Sequence, residues 1–184
     1  MRTDRSRPRA GLAITLGLAL AHPGDAQAQM PVFLASCMAD AGDLQRLPGS
    51  LARAGMVEID PANGPSGPMA AAGAPGRRLW SARRGPGKGD AFAGYAPASA
   101  GRPLEICWTV SRPGRSAADM LTELKRLFPP PQGVTETGTT AFYGGYERWS
   151  VVLHGKVIVL GVDWAIQANP EQGTGLLYLV KSTQ

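Results

Sequence analysis

The stretch "RWSVVLHGKVIVLGV", residues 148–162, sets two runs rich in β-branched residues on either side of His154-Gly155. Such runs favour strands. The dipeptide suits a two-residue hairpin turn, because Gly accepts positive φ without strain and His tolerates it better than most residues. A turn placed there fixes the register. Trp149 then faces Leu160 and Val151 faces Ile158 on the core side, while Tyr146 faces Asp163 on the other side with Arg148 diagonal to it.

Working outward, "GLLYLVKS" (175–182) adds a third C-terminal strand. Before the hairpin, Ser116 and Asp119 form a capping pair for a helix whose apolar stripe is Met120, Leu121, Leu124, Leu127 and Phe128, stopped by Pro129 to Pro131. Lys125 and Arg126 lie in its last turn, where positive charge suits the helix dipole. Three short strands precede it, at 78–83, 91–97 and 104–111. Residues 61–76, "PANGPSGPMAAAGAPG", offer little to pack or to fix the backbone and read as a mobile loop inside the domain. Residues 31–55 read as helix, with Pro31 in the first turn, Gly42 and Pro48 breaking it in two, and Gly55 ending it.

The order is helix, three strands, helix, three strands. That predicts an α+β domain: a mainly antiparallel sheet of about five to six strands with two or three helices packed on one face. The two halves share this order without a sequence repeat strong enough to mark a duplication.

The first 28 residues follow the plan of an export signal. Arg2, Arg5, Arg7 and Arg9 lead into the apolar run Gly11 to Ala21, and Ala26 and Ala28 suit cleavage after Ala28. The apolar run is shorter than the ~20 residues a bilayer span needs. The expected mature protein is residues 29–184, a single domain without a transmembrane segment, periplasmic or secreted. Losing the leader removes four of the 19 basic and two of the 14 acidic residues, so the working charge is smaller than the +5 of the whole chain.

Two cysteines, Cys37 and Cys107, stand far apart in a chain expected outside the cytoplasm, which predicts a disulfide between them. Alternation in "LEICWTVS" puts Cys107 on the face opposite Trp108; if Trp108 faces the core, the bridge must reach round the sheet edge or tie the N-terminal segment to the outer face. After leader removal His154 is the remaining histidine, and it sits in the expected turn. A catalytic triad or a zinc site is therefore not expected, and no cofactor is expected. A pair of carboxylates is the remaining catalytic option, with Glu147 as the leading candidate because it shares the face of Trp149 and Val151, and Asp163 read as a partner of Arg148.

The segment "GRRLWSARRGPGKGD" groups Arg77, Arg78, Arg83, Arg84 and Lys88 around Trp80 and could hold a polyanion by charge and stacking. Its "GPGKG" is not a Walker loop, since Gly89 follows the lysine and Arg83 stands where the first glycine belongs.

The exported leader, a Cys after a Phe in the first mature helix ("FLASC"), a second Cys in a strand ("EICWTV") and a following Leu-rich helix ("DMLTELKRLF") resemble small exported proteobacterial proteins of unassigned activity. The resemblance implies the compartment and the disulfide, and it brings no catalytic residues. The expected function is thus a non-enzymatic binding or accessory role in the cell envelope, through an envelope protein or ligand. The alternatives are a carboxylate-dependent hydrolase and a polyanion binder using residues 77–88.

Overall fold

The computed structural model describes residues 29–65, 73–82, 90–112, 115–140, 144–164 and 175–183. The expected leader, residues 1–28, lies outside them, and so do Arg83, Arg84 and Lys88. Among the described residues the chain begins with helices α1 (Gln29–Phe33) and α2 (Leu47–Arg53) and strands β1 (Val57–Ile59), β2 (Arg78–Ala82), β3 (Asp90–Ala96) and β4 (Leu104–Arg112). Helix α3 (Ala117–Leu127) and strands β5 (Glu136–Thr140), β6 (Gly144–Leu153), β7 (Lys156–Asp163) and β8 (Leu176–Ser182) follow.

The fold is α+β, and all eight strands join one antiparallel sheet in the order β1-β2-β3-β4-β8-β7-β6-β5. The sheet is larger than the five or six strands expected. The two additional strands, "VEI" and "ETGTT", are its edges. Edge strands are short and polar because only one side is paired, so they carry little periodic signal.

The hairpin has the register expected, with Trp149 opposite Leu160, Val151 opposite Ile158 and Tyr146 opposite Asp163. His154 and Gly155 adopt φ of 51° and 73°. Two consecutive positive φ values are what a two-residue turn needs to follow the twist of its strands. Helix α3 is capped as read, the Ser116 side chain accepting from the Asp119 N–H at 3.1 Å. The N-terminal helix differs. Helix α1 runs on into a π-helical turn at Leu34–Met38, and Pro48 lies in the first turn of α2, where its missing N–H has no helical partner to lose. Parts of the expected mobile loop are packed: Gly64 lies against the Leu79 side chain and Ala74 joins the cluster around it.

All three helices lie on one face. Met30, Phe33 and Cys37, then Leu47 and Leu51, then Met120 and Leu124 close over Trp80, Cys107, Trp149, Leu160 and Leu179. The other face is also apolar over the first strands, where Leu79, Phe92, Ile106, Trp108, Val110 and Tyr178 cluster. Both faces of β4 are therefore buried, and the helices cover the face of Cys107, not that of Trp108. The bridge needs no detour round the sheet edge.

The strand order is a palindrome about the β4–β8 seam, so the sheet is made of two four-strand units, β1–β4 preceded by α1 and α2 and β5–β8 preceded by α3. On the outer face one row crosses all eight strands: Ile59, Leu79, Gly94, Trp108, Tyr178, Gly161, Arg148, Glu136. It makes Gly94 equivalent to Gly161 and Trp108 equivalent to Tyr178. The same register makes Trp80-Ser81 equivalent to Trp149-Ser150, and both tryptophans are buried against helices. In each unit an aromatic ring lies flat on the glycine of the next strand. A Cβ on Gly94 would meet Trp108 Cζ2 at 2.0 Å, and one on Gly161 would meet Tyr178 Cζ at 2.5 Å.

Gly94→Ala is therefore expected to destabilise by about 1–3 kcal/mol, as overpacking does. Gly49→Ala, in α2 where a Cβ would make an ordinary contact of 3.5 Å with Arg53 Nη1, is expected to be neutral or stabilising by up to about 1 kcal/mol. Urea unfolding of the two variants checks both signs; a tolerated Gly94→Ala would mean that the Trp108 ring moves freely.

Candidate functional site

Cys37 and Cys107 form a disulfide with Cα atoms 5.5 Å apart, and both residues are wholly buried. The π-helical turn carries Cys37, which thereby meets a central strand. A buried polar group stands beside it, and nothing in the sequence pattern marks it. Glu105, on the face of Cys107, accepts from the Tyr95 hydroxyl at 2.9 Å and from Lys181 Nζ at 3.1 Å. Lys181 Nζ also donates to the Gly42 carbonyl at 3.3 Å, and Lys156 Nζ does so at 3.0 Å. The end of the N-terminal helical segment is thus fastened to β7, β8 and β4. Burial, with the Glu105 carboxylate next in effect, pushes the Tyr95 hydroxyl far above its ordinary pKa. Such a satisfied network favours one arrangement of the core.

The two carboxylates weighed in the C-terminal sheet, Glu147 and Asp163, do not meet. Glu147 lies opposite Val162 on the helix face, with Lys125 Nζ at 2.7 Å from its carboxylate. Asp163 lies on the outer face of the same sheet, so the two acids cannot address one bond. Asp163 feels the charge of its expected partner but does not receive its hydrogen bonds. Arg148 forks onto Glu136 through Nε at 3.0 Å and Nη2 at 2.6 Å, on the strand β5 that the sequence did not reveal, and Asp163 takes the Tyr178 hydroxyl.

The polyanion candidates are also divided. Trp80 is 2% exposed in the helix-side core and offers no ring for stacking on a ligand. Arg78 stacks over Trp80 and grips Glu58 through two bonds of 2.7 Å, and Arg77 donates to the Pro61 carbonyl at 3.2 Å.

What the structure does bring together is a charged and aromatic set on the outer face of the second unit. The Tyr146 hydroxyl donates to Glu136 at 3.0 Å, and the Arg148 guanidinium lies 4.8 Å from the Tyr146 ring centroid. The Arg148 bonds, then the Tyr146 hydroxyl, hold the Glu136 carboxyl below its usual range. Asp163 behaves oppositely: burial raises it to about 6, against the pull of the Tyr178 hydroxyl and the Arg148 charge.

The first unit acts as an internal comparison. Where the second has Glu136, Arg148 and Asp163, the first has Ile59, Leu79 and Ala96. The architecture is satisfied by apolar residues at these places, so it does not require the charges. Among the described residues, no group of three or more His, Cys, Asp or Glu side chains is placed to hold a metal ion, and no helix is long and apolar enough to cross a membrane.

These features define the class: an α+β protein with a palindromic eight-stranded sheet and one buried disulfide. The chain matches no protein-family model, no curated protein and no solved structure.

Proposed function

We propose that this is an exported protein, periplasmic or secreted, with a non-enzymatic binding or accessory role at the cell envelope, and that it binds through the outer face of its second unit. The observation that carries the export reading is the wholly buried Cys37–Cys107 disulfide, since such staples persist in oxidising compartments. The leader-like N-terminus supports the same reading. The binding face is supported by Glu136, Arg148 and Asp163, which stand where the first unit has the uncharged Ile59, Leu79 and Ala96, with the Tyr146 ring beside them. The separation of Glu147 from Asp163 by the sheet weighs against a hydrolase built on that pair. A polyanion site on the basic hairpin would have to work without the Trp80 ring.

The test is the intact mass of the protein recovered from the periplasm, taken under native conditions and again after denaturation and alkylation without reductant. A chain that starts at Gln29, takes up no alkylating agent and loses a bound mass on denaturation is expected. A full-length chain with two alkylated thiols would overturn the reading.

Arg148→Ala is then expected to reduce the bound fraction at least about tenfold, the loss typical of a charged interface contact. Its effect on stability should stay within about 1 kcal/mol, as for exposed ion pairs. Undiminished binding in the variant would move the site elsewhere.

A further inference from the structure

We infer that the protein pairs with a second copy of itself through the free edge of β5, the two strands running antiparallel about Gly138 so that the two sheets become one. The inference stands apart from the export reading and from the choice of ligand.

Strand β5 closes the sheet on the side of the second unit and pairs with β6 alone. The Trp164 N–H donates to the Gly145 carbonyl at 3.0 Å, so the odd-numbered residues of β6 address β7 and the even-numbered ones address β5. Through the pairs Glu136–Arg148 and Gly138–Tyr146, the even-numbered residues of β5 face inwards. Thr137 and Thr139 therefore turn their N–H and C=O groups away from the sheet. Both residues are exposed, and among the described residues nothing bonds to these groups.

An edge of this kind is a template for another strand unless lysine, proline or an unpaired charge blunts it. Strand β5 carries no lysine or proline, and its one charge, Glu136, is held by Arg148 and Tyr146. Pairing about Gly138 sets Thr137 against Thr139 of the other copy, and the reverse, so that both pairs exchange their outward backbone groups. Glu136 then faces Thr140 of the other copy, and the two acids stand at opposite ends of the join. The far edge of the sheet cannot do the same. The Thr183 N–H donates to the Pro103 carbonyl between β8 and β4, and the alternation this sets through β3 and β2 leaves Glu58 alone turned outwards on β1. Symmetric pairing there would set Glu58 against itself, and like charges directly opposite are unfavourable. Self-pairing is thus suited to β5 and not to β1.

The experiment is sedimentation of the oxidised protein, diluted from about 0.5 mM to about 1 μM to span the affinities of weak interfaces, with amide hydrogen exchange read on the same samples. A monomer–dimer equilibrium is expected, in which the Thr137 and Thr139 amides exchange more slowly as the dimer forms while the Glu58 amide is unchanged. Thr139→Pro removes an outward donor and no bond to β6, so it should raise the dimer dissociation constant at least about tenfold. A monomer throughout the series, or a dimer whose constant ignores Thr139→Pro and whose two amides exchange at the monomer rate, would overturn the inference. Slow exchange of both amides in a single copy carrying extra mass would overturn the second copy and give the edge to a strand of another protein.

Discussion

Replacing Cys37 and Cys107 together by alanine is expected to lower the unfolding free energy by about 4 kcal/mol, the chain-entropy effect of opening a loop of this length. The bridge spans a sequence separation of 70 residues, so it restricts most of the first unit in the unfolded chain. It also fixes the π-helical turn against β4, beside the Tyr95–Glu105–Lys181 group. Urea unfolding of wild type and variant in oxidising buffer measures the difference. Wild type unfolded and refolded under reductant should resemble the variant. A difference below about 1 kcal/mol would mean that the helix packing holds this region without the bond, since ordinary substitutions reach that size.

Asp163→Asn is expected to stabilise the protein at neutral pH and to do little in acid. The folded-state pKa of Asp163 is raised from 3.8 to about 6 by burial. A raised carboxyl favours the folded state fully below its unfolded pKa, and that contribution is lost as pH rises through the folded value. The window therefore runs from about pH 4 to about pH 6, and across it the wild type loses about 3 kcal/mol relative to a neutral side chain. Asparagine can still accept the Tyr178 hydroxyl, so the variant keeps that bond. Unfolding in urea at several pH values between 4 and 8 should show a difference that grows across the window and then levels. A difference independent of pH would mean that Asp163 is solvated.

The same residue bears on function. A buried acid whose raised pKa is expected to cost stability at neutral pH stands where the first unit carries Ala96. Perturbed groups of this kind concentrate at functional sites. Together with the ion pair of Arg148 and Glu136, it makes the outer face of the second unit the place to look for a partner.

Some of this was written locally in the chain. Helix α3 was legible because its cap, apolar stripe and proline stop lie within one short segment. The β6–β7 hairpin was legible because a two-residue turn determines every pairing along it. The disulfide was legible from a lone pair of cysteines behind an export-like N-terminal sequence.

The rest required the tertiary structure, for identifiable reasons. Strands β1 and β5 are held by their neighbours and not by their own composition, so "VEI" and "ETGTT" carried no signal. Without β5 there was no Glu136 beside Arg148, so the guanidinium was paired with Asp163, which feels its charge but does not take its hydrogen bonds. Trp80 read as available because a strand residue's face is decided by what packs on it, and the helices came down on the side of Trp80 and Cys107. The symmetry of the two halves was hidden because their equivalent positions share few residue types: a tryptophan against the helices, and a glycine beneath an aromatic ring. Composition and local turns are short-range properties, which the sequence expresses directly. Which face is covered, which strands are edges and which charges meet are set by contacts between distant segments, and only the assembled sheet decides them.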